Sequence, residues 1–550
     1  MPFPPPPPEP DSPSDPNGSS PPKRWVSQKN SIVAFSSIAI ALYGYDQGMM
    51  SLVNTNYSYL RTMGISGDSS MVGVIVSVYY LGCLVGAIIA SDWADKKGRK
   101  RSINACLYTT VVGNILMFMS GIIPWKSDNT WRGGSCALML IGRVVLGLGV
   151  GGIDATIPVY SSELSKDGAR GRALAKEFQA NIGGLLVAFG LNLLSTRLLG
   201  KESQWAWRLP IIIMQVFPWV LIFIIKRLPE SPRWLISEDR IDDARKALIG
   251  LHGEVQADEF LDEFHRAQQE ESDEQIGYLD MLNWNGSQFH PTMVTVMGQI
   301  NQALTGYGAV SVYGPQIFEL LGWDVLAAEN TTLINYTIYF MMMVIAWMSI
   351  DVLGRRKLMV WGSGGLAICF ALLAVLGGLA LDLFHEPSLI IEILGSIVLV
   401  VSTAIFGICW LATVWLIPTE IYPSGARAQG SAISVIIWGL ANFAVTFLTP
   451  LGFNYLKYWL FLVFAMTNTF AGWWTWRYSP ETGGRSFEEN QEFFVSAREE
   501  GSWVVKKVDG GKFLRMPPKQ QDVANAEDGE IAKDDPTETA PLLEQHSESG

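Results

Sequence analysis

Charge is scarce in this chain: Asp, Glu, Lys and Arg make up only 17% of its 550 residues, against 49% hydrophobic residues. A wholly soluble protein is thereby excluded, because the charges crowd into a few segments and leave long apolar runs between them. Cysteine is scarcer still. Cys83, Cys106, Cys136, Cys369 and Cys409 are odd in number, far apart and set in or at the ends of apolar segments, so they read as small apolar side chains and not as a disulfide framework or metal site. No basic face is visible either. The formal net charge of -12 comes largely from a middle loop and the C-terminal tail, so no nucleic-acid partner is expected. The glycines Gly147, Gly149, Gly151 and Gly152 have no strand beside them, which argues for close helix approach and against a nucleotide loop. No cofactor is expected.

What the chain does have is length in its apolar runs and one charged signature present twice. Ser91-Asp92-Trp93-Ala94-Asp95-Lys96-Lys97-Gly98-Arg99-Lys100 and Asp351-Val352-Leu353-Gly354-Arg355-Arg356-Lys357 each follow one apolar run and open another. Each is read as a tight turn between two membrane helices, and the repetition as the internal duplication of a secondary transporter. A membrane helix needs roughly 20 apolar residues. On that rule the chain is an all-α integral membrane protein with twelve spans. Six lie near 31–53, 72–94, 103–123, 136–159, 174–196 and 208–226, and six near 292–319, 333–352, 358–382, 389–417, 428–450 and 456–477.

The domain organisation expected from this is a disordered Pro- and Ser-rich tail (1–27), a six-helix half (28–226), a polar helical linker (227–290), a second six-helix half (291–478) and an acidic, mostly disordered tail (479–550). Lys and Arg set the orientation. They crowd the turns after spans two, four and eight and are sparse in the alternate loops, which puts both termini and the linker in the cytoplasm. The sequons at Asn56 and Asn330 then fall outside, where glycosylation is expected, while Asn17 and Asn285 fall inside.

The charged turns resemble the signature of the major facilitator superfamily, and four further motifs narrow the resemblance to its sugar porter family. They are Pro158-Val159-Tyr160-Ser161-Ser162-Glu163 with Arg170-Gly171; Pro229-Glu230-Ser231-Pro232-Arg233; Pro418-Thr419-Glu420 with Arg427; and Pro480-Glu481-Thr482-Gly483-Gly484-Arg485. The resemblance covers roughly 30–490, in the family's order, and fungal sugar permeases are the most similar members in the Gly44-Tyr45-Asp46-Gln47-Gly48 segment and the long polar tails. It implies a cytoplasmic gate that clamps the halves together when the carrier faces outward. Its members would be Asp95, Arg99, Glu163 and Arg170 in one half, and Asp351, Arg355, Arg356, Glu420 and Arg427 in the other. Solvated loop charges that only set topology are the alternative.

Asp46 is a carboxylate inside an apolar helix, and Arg143 in span four is its expected partner. In proton-coupled sugar porters an Asp at this place titrates and a span-four Arg tunes it; a static ion pair between helices is the alternative. For the solute, the resemblance implies Gln179, Gln302, Asn442 and Trp415: amides for hydroxyls and an aromatic face for the C–H side of a ring. Several family donors are missing, since Ala303, Gly308 and Gly407 stand where relatives carry polar groups. Asp154, and Glu177 with Lys176, are further polar groups in or beside spans four and five.

The expected function is proton-coupled import of a sugar or polyol across the plasma membrane by alternating access, without enzymatic chemistry. The expected partners are the solute, protons and the lipid bilayer, and the expected working unit is a monomer. The same fold could instead carry an inositol, a quinate-like acid or a secreted metabolite, or work as a facilitator or nutrient sensor. Glu538-Thr539-Ala540-Pro541-Leu542-Leu543 fits an acidic dileucine sorting pattern that would direct the protein to an endosomal or vacuolar membrane.

Overall fold

The computed structural model describes residues 23–505, apart from 68, 123–131, 165–169, 272–275, 380–388, 484 and 486. The Asn17 sequon, the Leu542-Leu543 pattern and most of both tails lie outside the described residues. Among the described residues the secondary structure is helical, with no strand.

Spans one to five are single helices: Lys23–Val53, Ser70–Lys97, Arg99–Met119, Arg132–Leu164 and Arg170–Leu199. Span six is two abutting helices, Gln204–Met214 and Val216–Ile225. Short helices Pro232–Ser237, Ile241–His252, Glu254–Glu271 and Tyr278–Met281 fill the polar middle stretch. Span seven is broken into Phe289–Leu304, Tyr307–Val312 and Gly314–Leu320. Spans eight, nine, eleven and twelve are Val325–Leu353, Arg355–Gly378, Ser424–Leu456 and Trp459–Tyr478. Span ten runs from Leu389–Phe406 through a π turn, Gly407–Leu411, into Thr413–Ile421. Nine of the twelve are, among the described residues, long and apolar enough to cross a membrane on composition alone. The other three are one, seven and twelve. Span one carries Ser36, Asp46, Gln47 and Ser51, span seven is broken at Gly306, and span twelve is loaded with Trp, Thr and Asn.

Within the first half, spans two and four approach so closely that Gly147 and Gly151 lie directly on the backbone of Tyr79 and Cys83. Any side chain there would push the helices apart, which is the packing that small residues permit in lipid. Between the halves, span two faces span eleven, where Gly439 sits against the carbonyl of Tyr80, and span five faces span eight. Two large apolar clusters result, one for each half, and they interlock: Tyr313 and Trp438 of the second half are buried in the first cluster, and Phe178 and Ile182 of the first half in the second.

The expected tail is in part ordered. Helix Phe487–Glu499 follows span twelve and docks on the end of span ten, where Asn490 Nδ2 donates to the carbonyl of Glu420 at 3.2 Å and Gln491 Nε2 to that of Ile421 at 2.5 Å.

Candidate functional site

The two charged turns superpose in chemistry bond for bond. Gly98 and Gly354 turn the chain at φ of +96° and +85°, a backbone region that side chains disfavour. Arg99 then donates to Asp95 Oδ1 at 2.7 Å, to the carbonyl of Ala94 at 2.9 Å and to Glu163 Oε1 at 3.3 Å. Arg355 repeats the set, with Asp351 Oδ1 at 3.1 Å, the carbonyl of Ile350 at 3.1 Å and Glu420 Oε1 at 2.6 Å. Thr482 Oγ1 adds a second bond to Glu420, at 2.5 Å. Arg356 donates to the carbonyl of Trp476, Arg427 sits in the first turn of span eleven, and Arg170 opens span five with its side chain outside the described residues.

In this structure the Arg99–Glu163 and Arg355–Glu420 pairs each join helices of one half. The turn is built from elements that neighbour one another within a half, and a guanidinium reaches only about one helix diameter.

Two glutamates that sequence reasoning left without a role complete these turns. The backbone N–H of Lys100 donates to Glu230 Oε1 at 3.0 Å. In the second half the N–H groups of Arg355 and Arg356 donate to Glu481 Oε1 and Oε2 at 2.7 and 3.1 Å. A carboxylate at a helix start takes N–H groups that have no partner inside the helix and meets the positive end of its dipole. Glu481 also accepts from the N–H of Gly483 at 3.0 Å and is buried. Glu481→Ala is therefore expected to lower stability by roughly 2 kcal/mol, the scale of a charge-assisted hydrogen bond left unmade. An unfolding midpoint in detergent measures it, and an unshifted midpoint would show that the cap is dispensable.

Between the halves lie two adjoining chambers. The central one, about 430 Å³ with part open to solvent, is lined by Gln47, Asn181, Gln302, Tyr307, Trp415 and Asn442 among others. The second, about 730 Å³ with part open to solvent, reaches between spans four and ten toward the charged turns, past Asp154, Pro158, Pro418 and Thr419. Tyr43, Phe178, Trp415 and Trp438 line both chambers and form a waist, with Trp415 5.8 Å from Trp438 and 6.0 Å from Phe178 between ring centres.

Of the four expected solute residues, Gln302, Asn442 and Trp415 line the central chamber. Gln179 lines neither. Its amide is held between the halves, with Nε2 on the carbonyl of Phe340 at 3.4 Å and Oε1 accepting from Trp347 Nε1 at 3.2 Å. Its neighbour Phe178 faces the chambers instead, a turn of 100° along the helix.

The chamber amides share a pattern. Gln302 Nε2 donates to the carbonyls of Trp410 and Leu411, both at 3.2 Å, which belong to the π turn of span ten. Asn442 Nδ2 donates to Trp438 O at 2.9 Å, Asn181 Nδ2 to Ile40 O at 3.1 Å and Gln47 Nε2 to Tyr43 OH at 2.5 Å. Gln302 thus spends both N–H groups on the protein, Asn442 and Asn181 spend one of two, and each amide keeps an oxygen that it can offer a solute.

Asp46 and Arg143 lie beside the central chamber and are both fully buried, with Nη1 and Oδ1 2.5 Å apart. The other guanidinium donors reach the carbonyls of Ile75 and Val76, each at 3.3 Å, and the charge lies 4.7 Å from the centre of the Tyr79 ring. Every face of the guanidinium is thus occupied, which is what lets a charge pair persist out of water.

On the side away from the charged turns the halves are joined. Glu329, in the first turns of span eight, is buried and lies 2.9 Å from Arg197 Nη2 and 2.7 Å from Lys201 Nζ, both at the end of span five. Ser51 and Tyr336 hydroxyls meet at 3.2 Å across the same interface. Asn56 lies on this side too. It is buried, and its Oδ1 caps helix Tyr57–Met63 through the N–H of Tyr59 at 3.1 Å, so its expected glycosylation is not compatible with this packing. Asn330 is exposed, and its Oδ1 accepts from Arg197 at 3.4 Å.

The comparisons with known proteins agree with this architecture. The family described as "Sugar (and other) transporter" matches residues 31–494. Among similar curated proteins, "Sugar transporter STL1" of Saccharomyces cerevisiae is 29% identical over 86% of this chain and 83% of its own length. "Glucose transporter GlcP" of Staphylococcus epidermidis is 28% identical over 84% and 96%. "D-xylose-proton symporter" of Escherichia coli is 25% identical, again over 84% and 96%. Among solved structures, that of the major facilitator superfamily proton:xylose symporter XylE bound to 6-bromo-6-deoxy-D-glucose superposes with a TM-score of 0.71 at 23% identity, covering 86% of this chain and all of that one.

Proposed function

Because the chain belongs to the sugar (and other) transporter family of the major facilitator superfamily, a family of membrane carriers and not of enzymes, we propose that it imports a sugar or polyol together with protons. Its two halves rock about the central chamber, which opens to each side in turn. The observation that carries this reading is the buried Asp46–Arg143 pair beside an amide-lined, aromatic-waisted chamber. A protonatable group and a solute space in contact with the same helices are what coupling requires. The similarity to the D-xylose-proton symporter supports the same coupling.

The side of the charged turns is the cytoplasm by the distribution of Lys and Arg, with both termini on that side and the plasma membrane as the site of action. The gate residues Asp95, Arg99, Glu163, Asp351, Arg355 and Glu420 hold the helix ends that must move as units. Each half then swings as a rigid block, and a single chain suffices.

The experiment is uptake by the purified carrier in liposomes of D-glucose, D-xylose and myo-inositol, with the outer medium at two pH values. Accumulation of at least one of them, greater with acid outside, is the expected result. Downhill entry indifferent to pH would make the protein a facilitator. A second reading, the same carrier for another solute such as a quinate-like acid, is favoured by Ala303, Gly308 and Gly407, which stand where relatives carry polar groups; uptake of the acid and of none of the three polyols would establish it.

A further inference from the structure

Asp154, like Glu177 in span five, is a carboxylate of the spans with no ion pair among the described residues, and of the two it is Asp154 that lines a chamber. Asp46, Glu163, Glu329 and Glu420 are each matched with a cation at 3.3 Å or less. Asp154 has no hydrogen bond and no ion pair among the described residues, although it lies inside the apolar span four, one turn before Pro158. A carboxylate at that depth without a partner is a functional group by default. It lines the larger chamber, on the charged-turn side of the waist, in company with Tyr43, Trp415 and Trp438. It is partly exposed to that chamber and not sealed in packing.

A carboxylate has two oxygens spaced to receive two hydroxyls from adjacent carbons, and aromatic faces suit the C–H side of a ring. The central chamber already offers amide oxygens to solute hydroxyls. The next acceptor along the path to the charged-turn side is Asp154. We propose that Asp154 and the Tyr43–Trp415–Trp438 waist form a second solute subsite, on the charged-turn side of the central chamber, that receives a vicinal diol as the solute leaves. The subsite rests on the sugar or polyol reading above. It makes Asp154 a specificity-determining residue that touches solute, and it gives the chamber the hydroxyl partner that the family positions Ala303, Gly308 and Gly407 have lost.

The test is equilibrium binding and counterflow with the full-length carrier, wild type, Asp154→Asn and Asp154→Ala, using whichever of D-glucose, D-xylose or myo-inositol the wild type takes, and the monodeoxy analogues of that compound. Asp154→Asn should weaken the parent compound about tenfold, and the difference from wild type should vanish for the analogue that lacks one hydroxyl of the bound pair. Quenching of tryptophan emission from the waist reads binding independently of transport. Equal weakening for every analogue would overturn the subsite, as would affinities that match wild type. Loss of the pH dependence of uptake with affinity and selectivity intact would also overturn it, by making Asp154 a proton site. If the wild type takes none of the three compounds, the sugar or polyol reading fails and the subsite with it; if it takes one and Asp154→Asn behaves as wild type, the subsite alone fails.

Discussion

Asp46→Asn is expected to abolish accumulation of solute against its gradient and the dependence of uptake on external pH, while exchange of solute across the membrane survives. In the structure Asp46 is bonded to Arg143 at 2.5 Å, the pairing that an ionised carboxylate makes with a guanidinium. Protonation would cancel the charge that Arg143 holds, leaving the guanidinium on the carbonyls of Ile75 and Val76 and the Tyr79 ring. The two states of the pair can therefore report, on either side of the membrane, whether a proton is bound. Asparagine has the shape of the protonated acid and cannot form the pair, so it fixes one state. Arg143→Ala should be worse than uncoupled: it strands a buried carboxylate, a loss of about 3–5 kcal/mol, and reduced folded protein is expected. Arg143→Lys keeps the charge but not the fork that spans the two carbonyls, so it should fold and couple poorly. Measured accumulation of solute by Asp46→Asn under an acid-outside gradient would sink the proton-symport reading.

Glu329→Gln should shift the carrier toward the conformation that is open on the side away from the charged turns. The closed interface there brings one buried carboxylate between Arg197 and Lys201, whose side chains keep 35% and 26% of their exposure. Those cations can return to water when the halves separate, so the cost of neutralising Glu329 falls on the closed state. At roughly 1–2 kcal/mol, discounted for the exposure of the cations, the closed population should fall by a factor of about 5–30 relative to the open one. A Ser51→Cys reporter, set in the same interface, should react faster with an impermeant maleimide from that side in the Glu329→Gln background. The paired exchange Glu329→Lys with Lys201→Glu should slow it again. An unchanged labelling rate would mean that packing of Tyr336 and its neighbours closes this side without help from charge.

The apolar runs and the doubled charged turn carried most of the fold in the sequence, because crossing lipid imposes length and composition on a helix more strictly than water does. The breaks were hidden. Span seven stops at Gly306 and span ten widens into a π turn at Gly407–Leu411, and a hydropathy run cannot register either, since both are changes of backbone hydrogen bonding inside an apolar stretch. The acid and guanidinium partners inside each turn were legible as motifs. Their direction was not: the pairs lie within halves, and which helix ends neighbour one another is a property of the bundle. Gln179 shows the same limit on a smaller scale, for one residue of rotation separates it from Phe178, which does face the chambers. Glu329 gave no signal at all. Its cations at 197 and 201 are more than a hundred residues away, and nothing in a local window marks it as buried.

The glutamates 230 and 481 bear on how the chain is made. Each arrives after the sixth span of its half and returns to hold the start of the third, so the first half lacks its last bond until the ribosome has passed residue 230. From that point it can close on itself while the second half is still unmade, and the second half must wait for residue 481, almost the end of the described chain. A nascent chain halted shortly after 230 has emerged should already resist protease as a finished half, whereas one halted just before 481 should hold one finished half and one still open.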